Sequence, residues 1–204
     1  MADKGKPSGL RIIIAWIALL WLIELCDIAL TWKFGPHQGG GVWEGGFLDV
    51  RFGLQPRMWW GLIGIPCAPF LHGGFAHLAV NSLGLLLLGW ASLAYSSRLT
   101  SFAVGYAVLY SGVLTWLIGE SGSCHIGASG VIFGLIGFLF GNGLFRRGFL
   151  PLILAVVTMV LFGGALPQAL PVPQTGPVHY SWEMHLGGLL GGLSASWHLR
   201  KEKA

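Results

Sequence analysis

The chain has 204 residues, of which 54% are apolar and only 10% charged, and its net charge is +4. A soluble domain of this size carries about a quarter charged residues, so the composition excludes a water-coated globule and places the chain in the membrane class. The basic residues are scattered at segment ends, which excludes a nucleic-acid-binding surface.

A bilayer crossing takes roughly 20 mostly apolar residues. Six candidate crossings follow along the chain, after a short tail at residues 1–10. The first runs from about Arg11 to Trp32, too long and without the cleavage site of a removable signal peptide. It contains two acidic residues, Glu24 and Asp27, which we read as structural. A long first loop, Lys33 to Pro69, follows. Its Trp43, Phe47, Phe52, Trp59 and Trp60 suit the headgroup level, so a partly ordered, interfacial loop is expected. Arg57 is expected to anchor it. The second crossing runs from about His72 to Tyr95 and the third from about Leu99 to Ile118. The fourth, about Ala128 to Leu144, is short. The fifth runs from about Phe149 to Leu166 and the sixth from about Trp182 to Leu199, before a short tail at 200–204.

The distribution of basic residues tests this count. With six crossings, nine lie on the side of the termini: Lys4, Lys6, Arg11, Arg98, Arg146, Arg147, Arg200, Lys201 and Lys203. Three lie on the other: Lys33, Arg51 and Arg57. The positive-inside rule makes both termini cytoplasmic. Five or seven crossings would break the pattern. The 33 glycines fall largely inside apolar runs, where they let membrane helices approach closely. Cys26, Cys67 and Cys124 have no metal spacing and form no disulfide framework. A bond between Cys67 and Cys124 is left open.

Three polar groups stand out within the apolar runs, where polar residues are functional candidates. His77 and Asn81 are four apart and share one helical face, where two donors can hold a developing oxyanion or merely bond neighbouring helices. Gly127-Ala128-Ser129-Gly130 opens the fourth crossing. Its small residues permit close backbone approach, or simple packing. His185 lies near the start of the sixth. Gly188 and Gly192 form one small-residue face after it, and Gly130, Gly134, Gly137 and Gly141 form another on the fourth crossing. Contact between those faces would bring His185 to Ser129. A serine hydroxyl needs such a base to become a nucleophile. Phe133, one turn after Ser129, is placed to pack on the imidazole. No later Asp or Glu supplies a third member, and Glu183, two residues from His185, points elsewhere on a helix. The expectation is a Ser–His dyad. Ser111, Thr115, His72 and Asn81 are expected to line a water-filled cavity.

Here the sequence resembles the rhomboid family of intramembrane serine proteases. The resemblance rests on His72…His77-x-x-x-Asn81, Gly127-x-Ser129-Gly130 and His185-x-x-Gly188-x-x-x-Gly192, in order and each in its crossing. It implies an all-α membrane protein with six transmembrane helices in a rhomboid-like bundle. It implies Ser129 as nucleophile and His185 as general base, with His77, Asn81 and the Ser129 N–H as oxyanion hole. Phe133 takes the place of a stacking residue that is often Tyr in the family, so any bond from that hydroxyl is lost. His72 matches a further family histidine. The resemblance also implies that the fifth crossing and the cap over the site are mobile. The expected partners are transmembrane protein substrates with Gly, Pro or other weak helix formers near the cut, in the bacterial inner membrane. No metal or cofactor is expected.

Other classes fit less well. A transporter would show repeated halves, a metalloprotease His-Glu-x-x-His, and a soluble esterase a strand before its serine. A non-proteolytic membrane-protein binding or chaperone module on the same fold is the alternative. It would function without Ser129.

Overall fold

The computed structural model describes residues 9–35, 37–38, 44–172 and 180–203. Residues 1–8 of the N-terminal tail, Trp43, and residues 173–179 between the fifth and sixth expected crossings, with part of the expected cap, lie outside the described residues. The architecture is an all-α membrane bundle. α1 (Gly9–Phe34) leads to a minimal hairpin, β1 (His37–Gln38) and β2 (Glu44–Gly45), paired antiparallel. The first loop then folds as α2 (Phe47–Phe52), a 3-10 turn at Trp60–Ile63 and α3 (Gly64–Cys67). The main bundle follows: α4 (Phe75–Gly84), α5 (Trp90–Ile118), α6 (Ser129–Phe145), α7 (Phe149–Phe162) and α8 (Trp182–His198).

Among the described residues, three apolar stretches are long enough by themselves to cross a bilayer: Gly9–Phe34, Phe75–Ile118 and Phe149–Ala169. The middle one is two helices. A wide π-helical turn at Leu85–Gly89 joins α4 to α5, and the helix breaks at Ser96, where the backbone turns to φ −166° and ψ 113°. The expected second and third crossings therefore meet at a sharp corner, where Ser96 Oγ accepts the Leu99 N–H at 3.4 Å. The second crossing begins later than expected. Gly74, at φ 123°, sets the helix start at Phe75, so His72 lies in the preceding turn. α7 ends at Phe162 and continues as a 3-10 segment, Gly163–Ala169, that contains Pro167.

α6 is the central helix. It is apolar all round, and nearly every residue from Gly130 to Asn142 is buried, as a helix enclosed by others must be. It packs most extensively on α8, then α7 and α5. Two glycines of α8 make this possible. A Cβ on Gly188 would collide with the Gly130 carbonyl, and one on Gly192 with the Gly134 carbonyl. The two small-residue faces do meet. Leu135, Phe138 and Leu139 of α6 form the core with Leu20, Leu78, Leu85 and Leu99. The outward faces are apolar and exposed, with Val160 at 77% and Phe149 at 78%. Such faces suit lipid, whose tails replace the water that would exclude them.

The first loop is held by α1. Asp27 Oδ1 accepts the Leu48 N–H at 2.5 Å and Thr31 Oγ1 accepts the Phe47 N–H at 2.8 Å. These are the first N–H groups of α2, which a helix cannot satisfy by itself. Asp27 thus has the structural role expected of it. Arg57 anchors the loop to the protein: its guanidinium donates to the Leu117 carbonyl at 3.1 Å and to Ser121 Oγ at 2.5 Å. Trp59 and Trp60 are exposed, at 78% and 62%, as interfacial aromatics would be. The three cysteines are free thiols, so Cys67 and Cys124 are not bonded to each other.

Candidate active site

Ser129 is the first residue of α6, and Gly127 shapes the approach to it. Gly127 has φ +114°, a conformation that L side chains rarely adopt. A Cβ there would lie 2.7 Å from His77 Cε1 and 3.4 Å from Asn81 Nδ2. The backbone therefore runs flush against the His77 ring and the Asn81 amide, two residues before the hydroxyl. As the helix begins at Ser129, its first N–H groups have no intrahelical partner. Asn81 is buried, and its Nδ2 has no hydrogen-bond partner among the described residues. The Asn81 amide thus lies beside the turn that leads into the start of α6. His72 stands edge-on to His77, with ring centroids 5.1 Å apart.

His185 lies in the first turn of α8, whose N-cap is Ser181. Its Nδ1 faces the Gln168 carbonyl at 3.1 Å, and its Nε2 faces Ser129 Oγ at 2.9 Å. A carbonyl can only accept, so Nδ1 carries the proton and Nε2 is the bare acceptor. Ser129 Oγ–H donates to it. The Phe133 ring stacks on the imidazole at 4.2 Å with an 8° tilt, and Tyr180 lies parallel to it at 5.8 Å. The structure thus brings Ser129, His185 and Phe133 together, and sets His77, Asn81 and Gly127 beside them. Gly130, Gly134, Gly188 and Gly192 serve the helix contact that makes the meeting possible.

Two expectations need correction. Ser111 and Thr115 do not line the cavity. Both are buried, and Ser111 lies against Gly130 of α6 and Gly187 of α8. The open cavity, about 1230 Å³, is bounded instead by Glu24, Asp27 and Asp49 on one side and by His72, His77 and His125 among others. Asn81 is not on its wall. Glu183 makes no hydrogen bond to His185 among the described residues; its carboxylate accepts from Ser181 Oγ at 3.1 Å instead.

Two groups were missed. The carbonyl of Gln168 fixes the tautomer and orientation of His185. It is a backbone atom presented by a 3-10 turn, so no residue type announces it. His125 lies between Ser123 Oγ, at 2.7 Å, and Ser181 Oγ, at 2.8 Å. Its position four residues before Ser129 was the available signal. Burial pushes His125 down to about 4, so its ring is uncharged at neutral pH.

The chain is similar to known proteins. The Rhomboid domain family matches residues 56–202. Uncharacterized protein Rv1337 of Mycobacterium tuberculosis is 38% identical over 194 residues, 92% of this chain and 73% of its own length. Uncharacterized protein ML1171 of Mycobacterium leprae is 36% identical over 195 residues, 92% of this chain and 70% of its own. A Bacillus subtilis protein named "Putative rhomboid protease YdcA" is 29% identical over 123 residues, 58% of this chain and 60% of its own. No solved structure is a significant match. With the family match spanning most of the chain, and with a Ser and a His joined across two glycine-packed membrane helices, the chain belongs to the rhomboid family.

Proposed function

We propose that the chain is an intramembrane serine endopeptidase that cuts transmembrane segments of other proteins near the outer membrane face. The observation that carries this reading is the chain of hydrogen bonds from Ser129 through His185 to Gln168. It leaves the imidazole in the one tautomer able to take the serine proton. Ser129 Oγ attacks the scissile carbonyl as Nε2 takes that proton. The charge forming on the carbonyl oxygen meets the Ser129 N–H, His77 and Asn81. His185, then doubly protonated and stacked on Phe133, protonates the leaving amine. The acyl-enzyme that remains yields to water drawn from the open cavity.

The same reading takes residues 11–199 as one domain of six crossings in the inner membrane, with the nine-residue basic side cytoplasmic. A substrate helix satisfies its own backbone, so segments weakened by Gly or Pro are the expected substrates.

The test is cleavage of a single-span substrate, with Gly or Pro near its outer end, by the purified chain in detergent. Parent cleavage lost in both Ser129→Ala and His185→Ala supports the reading; in serine hydrolases such losses are on the order of 10⁶-fold. Equal cleavage by all three overturns the dyad. A chain that neither cuts nor reacts with a fluorophosphonate at Ser129 is a non-proteolytic member.

A further inference from the structure

Two Ser–His contacts join the same two chain segments, four residues apart on each. Ser129 and His185 meet at 2.9 Å, and His125 and Ser181 at 2.8 Å; in both pairs the partners are 56 residues apart in sequence. The residue types are exchanged: serine on the α6 segment at one level, and on the α8 segment at the other. The reaction described above uses only the first pair.

The second pair sits where it controls the first. Ser181 is the N-cap of α8: its Oγ accepts the Met184 N–H at 3.2 Å, and its carbonyl accepts the His185 N–H at 3.1 Å. The His125 imidazole therefore grips the residue that organises the first turn beneath the base. On its other side His125 is tied down three ways. Its backbone exchanges hydrogen bonds with Leu54 at 2.8 and 3.0 Å, and its Nε2 meets Ser123 Oγ at 2.7 Å. Four residues on, past Gly127, comes Ser129. Capping alone needs only Ser181. The imidazole adds a fixed spacing between the segments that carry the two reacting atoms.

We propose that His125 is a positioning residue, which holds His185 in reach of Ser129 through the hydroxyl of Ser181. The proposal rests on the assignment of Ser129 and His185 made above. It concerns the Nδ1 side of the ring. The Ser123 side secures the loop to itself.

Two amides separate these sides. The amide of His125→Asn occupies the place of Nδ1 and keeps the Ser181 contact. The amide of His125→Gln reaches the place of Nε2 and keeps the Ser123 contact. The full chain in detergent is assayed for cleavage and for the rate of fluorophosphonate labelling at Ser129. As small misplacements of reacting groups cost up to about 100-fold, His125→Ala and His125→Gln are expected to lower kcat and the labelling rate by about 10- to 100-fold, with KM nearly unchanged. His125→Asn is expected to recover most of the loss. His125→Ala at the parent rate, or His125→Gln recovering as well as His125→Asn, would overturn the proposal. If His125→Ala does not fold, the comparison of the two amides decides. Labelling of the parent that is independent of Ser129 would overturn the dyad, and this inference with it. Ser129-dependent labelling without an advantage of Asn over Gln would overturn this inference alone.

Discussion

A histidine serves as a base only through a bare nitrogen, and here a backbone carbonyl leaves it bare. Gln168 commits Nδ1 of His185 to donation, so no carboxylate is needed to set the tautomer. The flat contact with Phe133 at 4.2 Å steadies the ring, an effect of about 0.5–1.5 kcal/mol for stacked aromatic pairs. Phe133→Leu is expected to lower kcat about tenfold with little change in KM, and Phe133→Tyr to retain most activity, both read from steady-state cleavage. Among the described residues, the Asn81 amide nitrogen has no hydrogen-bond partner, and it lies beside Gly127. Loss of one oxyanion donor typically costs about 10²- to 10³-fold in kcat, so Asn81→Ala should fall in that range while its fluorophosphonate site remains Ser129. Asp49 in the first loop is pushed up to about 8, first by burial and then by Asp27 and Glu24 beside it. The folded chain keeps a proton there that the unfolded chain, near the ordinary 3.8, has released. That stabilisation is fully present below about pH 4 and is lost as pH rises towards 8. The melting temperature should accordingly fall between pH 5 and pH 8, and Asp49→Asn should flatten that slope.

At the scale of elements, the contact of α6 with α8 decides whether a site exists. Its closeness comes from Gly188 and Gly192, which take the Gly130 and Gly134 carbonyls where side chains would otherwise stand. Overpacking a tight contact costs about 1–3 kcal/mol, so Gly188→Ala should lower the melting temperature and the cleavage rate together. An exposed glycine, Gly105, has nothing within 4 Å of an added Cβ, and Gly105→Ala should change neither. This contact was readable from the spacing of small residues. The break at Ser96 was readable too, since the polar run Ser96-Ser97-Arg98 separates the two expected crossings. The 3-10 segment after α7 was not, because the apolar composition continues through Gly163, Gly164, Ala165 and Leu166 while the backbone changes its pitch.

At the scale of the whole molecule, the proposed orientation rests on the sidedness of the basic residues. Six crossings with cytoplasmic termini would put Met58 outside and Arg147 inside. In a cysteine-free chain, a single cysteine in place of Met58 should react with a membrane-impermeant maleimide in intact cells. One in place of Arg147 should react only after lysis. The reverse result, or reaction of both, would contradict six crossings.

Apolar runs, their lengths and the sidedness of Lys and Arg are properties of local sequence, and they determined the membrane class and the helices of the bundle. Ser129, His185, His77 and Asn81 were legible because polar groups in apolar runs are costly and therefore few. What only the tertiary structure decided depends on atoms without a residue signature or on distant segments. The Gln168 carbonyl is backbone, His125 and Ser181 are 56 residues apart, and Ser111 turned to a helix contact instead of the cavity. Residue type shows what a side chain is able to do. The packing of α6 against α8 determines which partners come within 3 Å.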